Sequence, residues 1–302
     1  MSKHHSATHD SAHEPVSMEK IQEVMGKYDK ESFYRKLGGK WGLLIASVAI
    51  TFSLFQLYTA AFGMLPAQLQ RSVHLGFVLL LVFLLYPAHK GKIHKITVSD
   101  LIIAAAGVSS AGYIIWNYRE LISRAGDFTT VDVVFGAIGI IVVMEACRRV
   151  VGLPMLIIAT IFMLYAYFGA YMPGFLNHRG YSIQRIITHL WFTTEGILGV
   201  PLGVCSTFIF LFILFGAFME QTGIAKLFID LANALAGFAA GGPAKVAVLT
   251  SALEGTVSGS SVSNTVGSGS FTIPMMKKLG YSREFAAAVE AAASTGGQLL
   301  HT

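Results

Sequence analysis

Residues 255–270 consist of glycine, serine, threonine, valine and a single asparagine, and apolar sequence flanks them on both sides. Ser258, Ser260, Ser261, Ser263, Asn264 and Thr265 bring side-chain oxygens close together. Gly255, Gly259, Gly267 and Gly269 allow positive φ and close backbone approach, so the chain is free to reverse there as a re-entrant hairpin or to unwind. Carbonyls freed by such a break, together with hydroxyls, form a neutral oxygen-rich cage suited to a hard alkali cation such as Na⁺. The amide end of any half-helix that starts in the run favours an anion. A flexible linker of this composition is ordinary in water, but at membrane depth each unpaired backbone group costs several kcal/mol unless it is buried in protein or lines a wet cavity.

The segment FAAAVEAAASTGGQ, residues 285–298, repeats the theme, and the spacing predicts a second break where Ser294 and Thr295 meet Gly296 and Gly297. Two discontinuous elements close together point to a transporter binding site. The competing reading is tight helix packing, which needs small residues only at every fourth position rather than in an unbroken run. Glu290, among the alanines, is costly against lipid and is expected to face protein or a cavity, with structural pairing and cation coupling both open. Glu254, beside the first break, is read the same way.

The elements that must position these residues follow from composition. Hydrophobic residues make up 54% of the 302, charged residues 13%, and the mean hydropathy is +0.60, against about 25% charged in an ordinary globular domain. The chain is therefore expected to be an all-α polytopic membrane protein. Apolar runs at 39–62, 73–88, 101–118, 131–147, 151–172 and 204–219 are each long enough for a helical crossing. A broken run at 246–276 and an alanine-rich one from about 285 add two interrupted helices. Arg35, Lys36 and Lys40 precede the first run, Lys90, Lys92 and Lys95 follow the second, and Arg148 and Arg149 follow the fourth, which places the N-terminus in the cytoplasm by the positive-inside rule. Cationic span ends also account for the net charge of +5 without a nucleic-acid partner.

The organisation expected is a disordered tail over 1–38 containing His4, His5, His9 and His13, a scaffold of plain spans over 39–149 with a small-residue patch at Ser109, Ser110, Ala111 and Gly112, and a mechanistic part over 150–302. Two connectors are amphipathic. In SIQRIITHLWFTTEGIL, Ile183, Ile186, Ile187, Leu190, Trp191, Ile197 and Leu198 share a face, with Trp191 expected at headgroup depth. In IAKLFIDLANALAGF, Ile224, Leu227, Phe228, Leu231, Leu235 and Phe238 oppose Lys226, Asp230 and Asn233. Each connector is either a helix packed on neighbouring spans or a mechanical arm. His189 reads as solvated, Glu145 as a local ion pair with Arg148 and Arg149, and Cys147 and Cys205 suggest no disulfide framework. An intramembrane serine hydrolase lacks a histidine within the spans after Val204, and a P-loop ATPase lacks its Gly-Lys-Ser/Thr element, so no enzyme is expected.

Residues 180–223 and 241–298 resemble the fused permease of tripartite ATP-independent periplasmic (TRAP) transporters, in the subgroup that joins the small four-helix subunit to the large DctM-like subunit and is served by a TAXI-type binding protein. The likeness covers essentially everything after Asp132; the spans of 39–149 resemble the small subunit by position and hydropathy. It implies a multi-pass inner-membrane secondary transporter, driven by Na⁺ and needing no other cofactor. Its passenger would be an organic anion, typically a carboxylate, delivered by a periplasmic binding protein to an elevator domain of inverted repeats. The family's first-repeat binding elements map onto Ser258, Gly259, Ser260, Ser261, Asn264 and Thr265 and onto Ser294, Thr295, Gly296 and Gly297. Na⁺ candidates among them are Ser258, Ser260, Ser261, Asn264 and Thr295. Gly241, Gly242 and Pro243 match the turn before the hairpin. A second repeat is expected after residue 302, so the chain reads as truncated, with the remaining half as a further partner. A non-transporting membrane scaffold is the alternative.

Overall fold

The computed structural model describes residues 34–35, 37–88, 95–124, 126–258, 261, 264–265 and 268–300, without the side chains of 219, 220, 225, 257, 258, 270, 271 and 297–300. The histidine-bearing tail, Lys36, Lys90 and Lys92 therefore lie outside the described residues. The chain divides into two compact units, Met1–Phe52 with Leu65–Leu202 and Ser53–Met64 with Gly203–Thr302.

Among the described residues six helices are long and apolar enough to cross a membrane: Gly39–Phe62 (α1), Ala67–Leu85 (α2), Val98–Trp116 (α3), Thr130–Val150 (α5), Leu153–Tyr171 and Val200–Phe218. They coincide with the six apolar runs of the sequence. A short helix, Tyr118–Ser123 (α4), follows α3; Leu153–Phe168 (α6) is the α-helical part of the fifth span, and Ile183–Phe192 (α7) follows it. Local chemistry sets several starts. The Thr97 amide donates to Asp100 Oδ2 (3.1 Å) at α3, and Thr129 and Asp132 exchange backbone-to-side-chain bonds at α5 (2.6 and 3.3 Å). Pro154 occupies the first turn of α6, where a missing amide hydrogen costs nothing.

The core of the first unit gathers Leu75, Leu79, Phe83, Ile114, Ile140 and Phe192 around Trp191. Trp191 is fully buried, so its ring packs within the protein rather than on the surface of the connector. The reason lies on α5: a Cβ at Gly139 would stand 2.3 Å from the Trp191 ring, so only a bare backbone admits it. Trp191 Nε1 has no hydrogen-bond partner among the described residues. The amphipathic connector is also shorter than its pattern. α7 ends at Phe192, and the chain turns so that the Ile197 amide donates to the Leu190 carbonyl at 2.8 Å, delivering Leu198 to the core from a loop. The small-residue patch packs as expected in part: Ser110 is buried and donates to the Phe135 carbonyl at 2.6 Å, while nothing approaches Gly112.

One end of this unit holds a buried ionic network. Arg35, counted from sequence among the orienting charges before the first span, is 1% exposed and donates to Asp100 Oδ2 at 2.7 Å and to the carbonyls of Phe83 and Leu84. Arg149 donates to Asp100 Oδ1 at 2.7 Å and to Glu145 Oε1 at 2.8 Å, and Arg148 also pairs with Glu145 at 2.7 Å. The local ion pair at Glu145 is therefore present, as the rim of a larger cluster.

Val200–Val204 (α8), which begins in the first unit and ends in the second, passes through a wide π turn, Cys205–Ile209, into Phe210–Gln221 (α9) of the second unit. Ile224–Ala236 (α10), Gly242–Ser258 (α11), Gly269–Lys278 (α12) and Arg283–Leu300 (α13) complete it. Gly223, Gly241 and Gly280 have φ of 80°, 73° and 92° ahead of α10, α11 and α13, a left-handed conformation that glycine takes without penalty. α10 packs on α11 through Ala232, Ala236 and Val246, leaving Leu227, Leu231, Leu235 and Phe238 exposed as apolar surface. α13 runs unbroken to Leu300, which corrects the second predicted break. The Thr295 hydroxyl returns to the Ala291 carbonyl (2.9 Å) within the helix, and a glycine in a helix interior costs only about 1 kcal/mol.

Candidate functional site: a carboxyl among hydroxyls

The hydroxyl-rich run reverses the chain, as expected for a hairpin. Ser251 on α11 meets Ser268, just before α12, at 3.1 Å between hydroxyls, and Asn264 Nδ2 donates to the Ser251 carbonyl at 2.8 Å. The two arms α11 and α12 thus face each other, and α13 packs against both. Most described positions of the run are helical. Gly255 and Gly269 accordingly keep helical dihedrals, which corrects the expectation of positive φ at those two sites; Gly259 and Gly267 lie outside the described residues. Gly269 supplies clearance instead: a Cβ there would lie 3.0 Å from Glu290 Cγ.

Glu290, on α13, is the centre of the assembly and is fully buried. Ser251 donates to its Oε1 at 3.0 Å and Ser294 to the same oxygen at 3.2 Å. Ser268 also donates to Oε1, and Thr272 donates to Oε2. All four hydroxyl residues are buried. Among the described residues Glu290 takes part in no ion pair. Ser268 and Thr272 have a second acceptor each, the carbonyls of Asn264 (2.8 Å) and Ser268 (3.0 Å). Beside this cluster, Asn264 is buried, and its Oδ1 has no hydrogen-bond partner among the described residues. The Thr250 hydroxyl is buried in the same condition.

The residues singled out from sequence fall into three groups. Ser258 ends α11 with its side chain undescribed, Gly259 and Ser260 lie outside the described residues, and Gly297 is described by its backbone alone. Asn264 and Ser294 converge on Ser251. Ser261 and Thr265 are half-buried and joined by a hydroxyl-to-carbonyl bond of 2.7 Å, whereas Thr295 is exposed and Gly296 half-buried, away from the Glu290 carboxyl. Ser251, Ser268 and Thr272 were not among the sequence candidates. A signal for them exists in spacing: Asn264, Ser268 and Thr272 recur at four, as do Glu290 and Ser294, so each helix presents polar groups on one stripe.

Chemically, the cluster is a carboxyl group whose every described partner is a neutral donor. Such a group can hold a cation or a proton, and it offers no nucleophile–histidine pair for covalent chemistry.

Residues 138–300 match the family described as the tripartite ATP-independent periplasmic transporter, DctM component. The chain is 42% identical over 82 residues to the C4-dicarboxylate TRAP transporter large permease protein DctM of Vibrio cholerae serotype O1, covering 27% of this chain and 18% of that protein. It is 34% identical over 82 residues to the uncharacterized protein YgiK of Salmonella typhimurium, covering 27% and 19%. The matched segment is thus less than a fifth of the length of either curated relative. No solved structure matches the chain.

Proposed function

Because the chain belongs to the DctM component family of tripartite ATP-independent periplasmic transporters, we propose that it forms part of the permease of a secondary active transporter. The reading is uptake of an organic anion, a carboxylate, driven by a Na⁺ gradient and delivered by a periplasmic binding protein of the TAXI type. On this reading the protein sits in the inner membrane with its N-terminus in the cytoplasm. Residues 39–149 act as a small-subunit-like scaffold, and the part from residue 150 carries the first repeat of the transport domain.

One observation carries the proposal: the family match spans the hairpin arms and α13, the elements in which hydroxyls, a buried amide oxygen and a buried carboxyl are gathered. The ion and substrate contacts are assigned to the hairpin tip and the end of α13. The residues assigned are Ser258, Gly259, Ser260, Ser261, Asn264 and Thr265 with Ser294, Thr295, Gly296 and Gly297, and Na⁺ is taken by oxygens of Ser258, Ser260, Ser261, Asn264 and Thr295. Support comes from Asn264 Oδ1, an acceptor buried without a described donor, since a cation supplies what such an oxygen lacks.

Proteoliposomes holding the complete permease, with its binding protein, test this. Labelled carboxylate should accumulate only with an inward Na⁺ gradient, and Gly259→Leu and Ser260→Ala should abolish or weaken that accumulation while insertion stays intact. Uptake absent with or without the gradient would favour a membrane scaffold. A cysteine at Ser261 adds a second check: labelling by a bulky impermeant reagent that ignores both Na⁺ and substrate would remove the hairpin from the mechanism.

A further inference from the structure

We propose that Glu290 is a proton-binding site, loaded and unloaded by rotation of one hydroxyl without displacement of the helices around it. The inference goes beyond the transport reading and does not require it.

The hydrogen-bond inventory carries the argument. Glu290 Oε1 faces three hydroxyls, Ser251, Ser268 and Ser294, whereas Oε2 faces Thr272 alone. In the ionised state Thr272 donates its single hydrogen to Oε2. When a proton from water binds, it resides on Oε2 as an O–H that donates to Thr272 Oγ1. Thr272 then turns its own hydrogen to the Ser268 carbonyl, which already stands 3.0 Å away one turn back. One proton enters, each hydroxyl keeps its hydrogen, and every donor has an acceptor in both states. Burying a carboxyl usually leaves one of its two states with an unmade bond; here neither state has one.

The oxygens around the carboxyl are closely spaced. Ser251 Oγ lies 3.0 Å from Glu290 Oε1, 3.1 Å from Ser268 Oγ and 3.4 Å from Ser294 Oγ. The oxygens already meet one another at hydrogen-bond separations, so a proton is accommodated among them without displacing any. Gly269 holds the carboxyl in this position by leaving room at its Cγ.

Other charges near the packed elements are few. α11 contributes Glu254, buried one turn beyond Ser251, and exposed Lys245; α12 contributes exposed Lys277 and Lys278 in its last turn; α13 contributes exposed Arg283 and Glu284 in its first. Among these described groups only Glu254 shares the burial of Glu290.

The test is pH-difference infrared spectroscopy of the purified full chain in lipid. A carboxylic-acid carbonyl band should grow as pH falls, shift in D₂O and be missing in Glu290→Gln. Thr272→Val should move that band, because the acid loses its acceptor, and this variant keeps the test intact should Glu290→Gln fail to fold. A Glu290→Gln difference spectrum identical to that of the unaltered chain, or a band unmoved in Thr272→Val, overturns the proposal. So does a carboxylate band that responds to Na⁺ against choline and not to pH. The readout needs no solute movement, so it stands or falls apart from the uptake assay.

Discussion

Asp100 and Glu290 are both carboxyl groups shut away from solvent, at 1% and 0% exposure, and they are compensated in opposite ways. Asp100 lies between two guanidinium groups, each at 2.7 Å, and also caps α3 through the Thr97 amide. Among the described residues Glu290 has hydroxyls only. Charge-on-charge compensation in a buried site holds its members in a single protonation state, because removing either sign strands the other. Hydroxyl compensation imposes no such condition, since each O–H can point at the carboxyl or away from it. The packing around the two differs in the same sense. The first unit is filled by leucines, phenylalanines and an indole, the second by alanine, valine and methionine at narrow helix contacts. Large, shaped side chains and locked ion pairs suit a part that must not change; small residues and rotatable donors suit one that does.

Substitutions can break or sharpen that contrast. The largest effect is expected from Asp100→Ala, which leaves Arg35 and Arg149 buried without their shared partner and should cost about 3–5 kcal/mol, read as a fall in the thermal midpoint in detergent or as loss of folded protein. Trp191→Ala should cost about the same, roughly 3–5 kcal/mol, by opening a void in the first unit; a midpoint unchanged from the unaltered chain would mean that the ring does not pack as described. Gly269→Ala should cost about 1–3 kcal/mol through crowding of the Glu290 side chain, with a larger proportional loss of solute uptake than of stability. Glu290→Gln should change stability by less than about 1.5 kcal/mol, as expected for a near-isosteric swap among hydroxyls. A loss as large as that of Asp100→Ala would erase the distinction between the two carboxyls. At the small end, Thr51→Ala removes an exposed hydroxyl bonded only back to the Ser47 carbonyl and should leave both stability and uptake unchanged.

What could be read from sequence follows the range of the interactions involved. The six spans were legible because a crossing helix announces itself in one contiguous apolar run. The chain reversal was legible for the same local reason, a dense block of glycines and hydroxyls. The burial of Arg35 was not legible because its partners lie 48 to 65 positions away, at Phe83, Leu84 and Asp100. The burial of Trp191 was not legible because its slot is made by an absence, the missing Cβ of Gly139. The expected break at Ser294 and Thr295 failed where local rules conflict: both hydroxyls find acceptors one turn back in the helix, so the backbone has no need to open. Glu290 was noticed as costly against lipid, but its hydroxyl partners come from three helices and only the fold assembles them.

The joint between Trp191 and Gly139 has a practical consequence. The chain contains three tryptophans, and the other two, Trp41 and Trp116, are 42% and 91% exposed. Replacing those two with phenylalanine would leave a single fluorophore, sealed in an apolar slot with no described partner for its N–H. Its emission should be blue-shifted and resist aqueous quenchers, so a colour change in ultraviolet light would report the loosening of that one joint in real time.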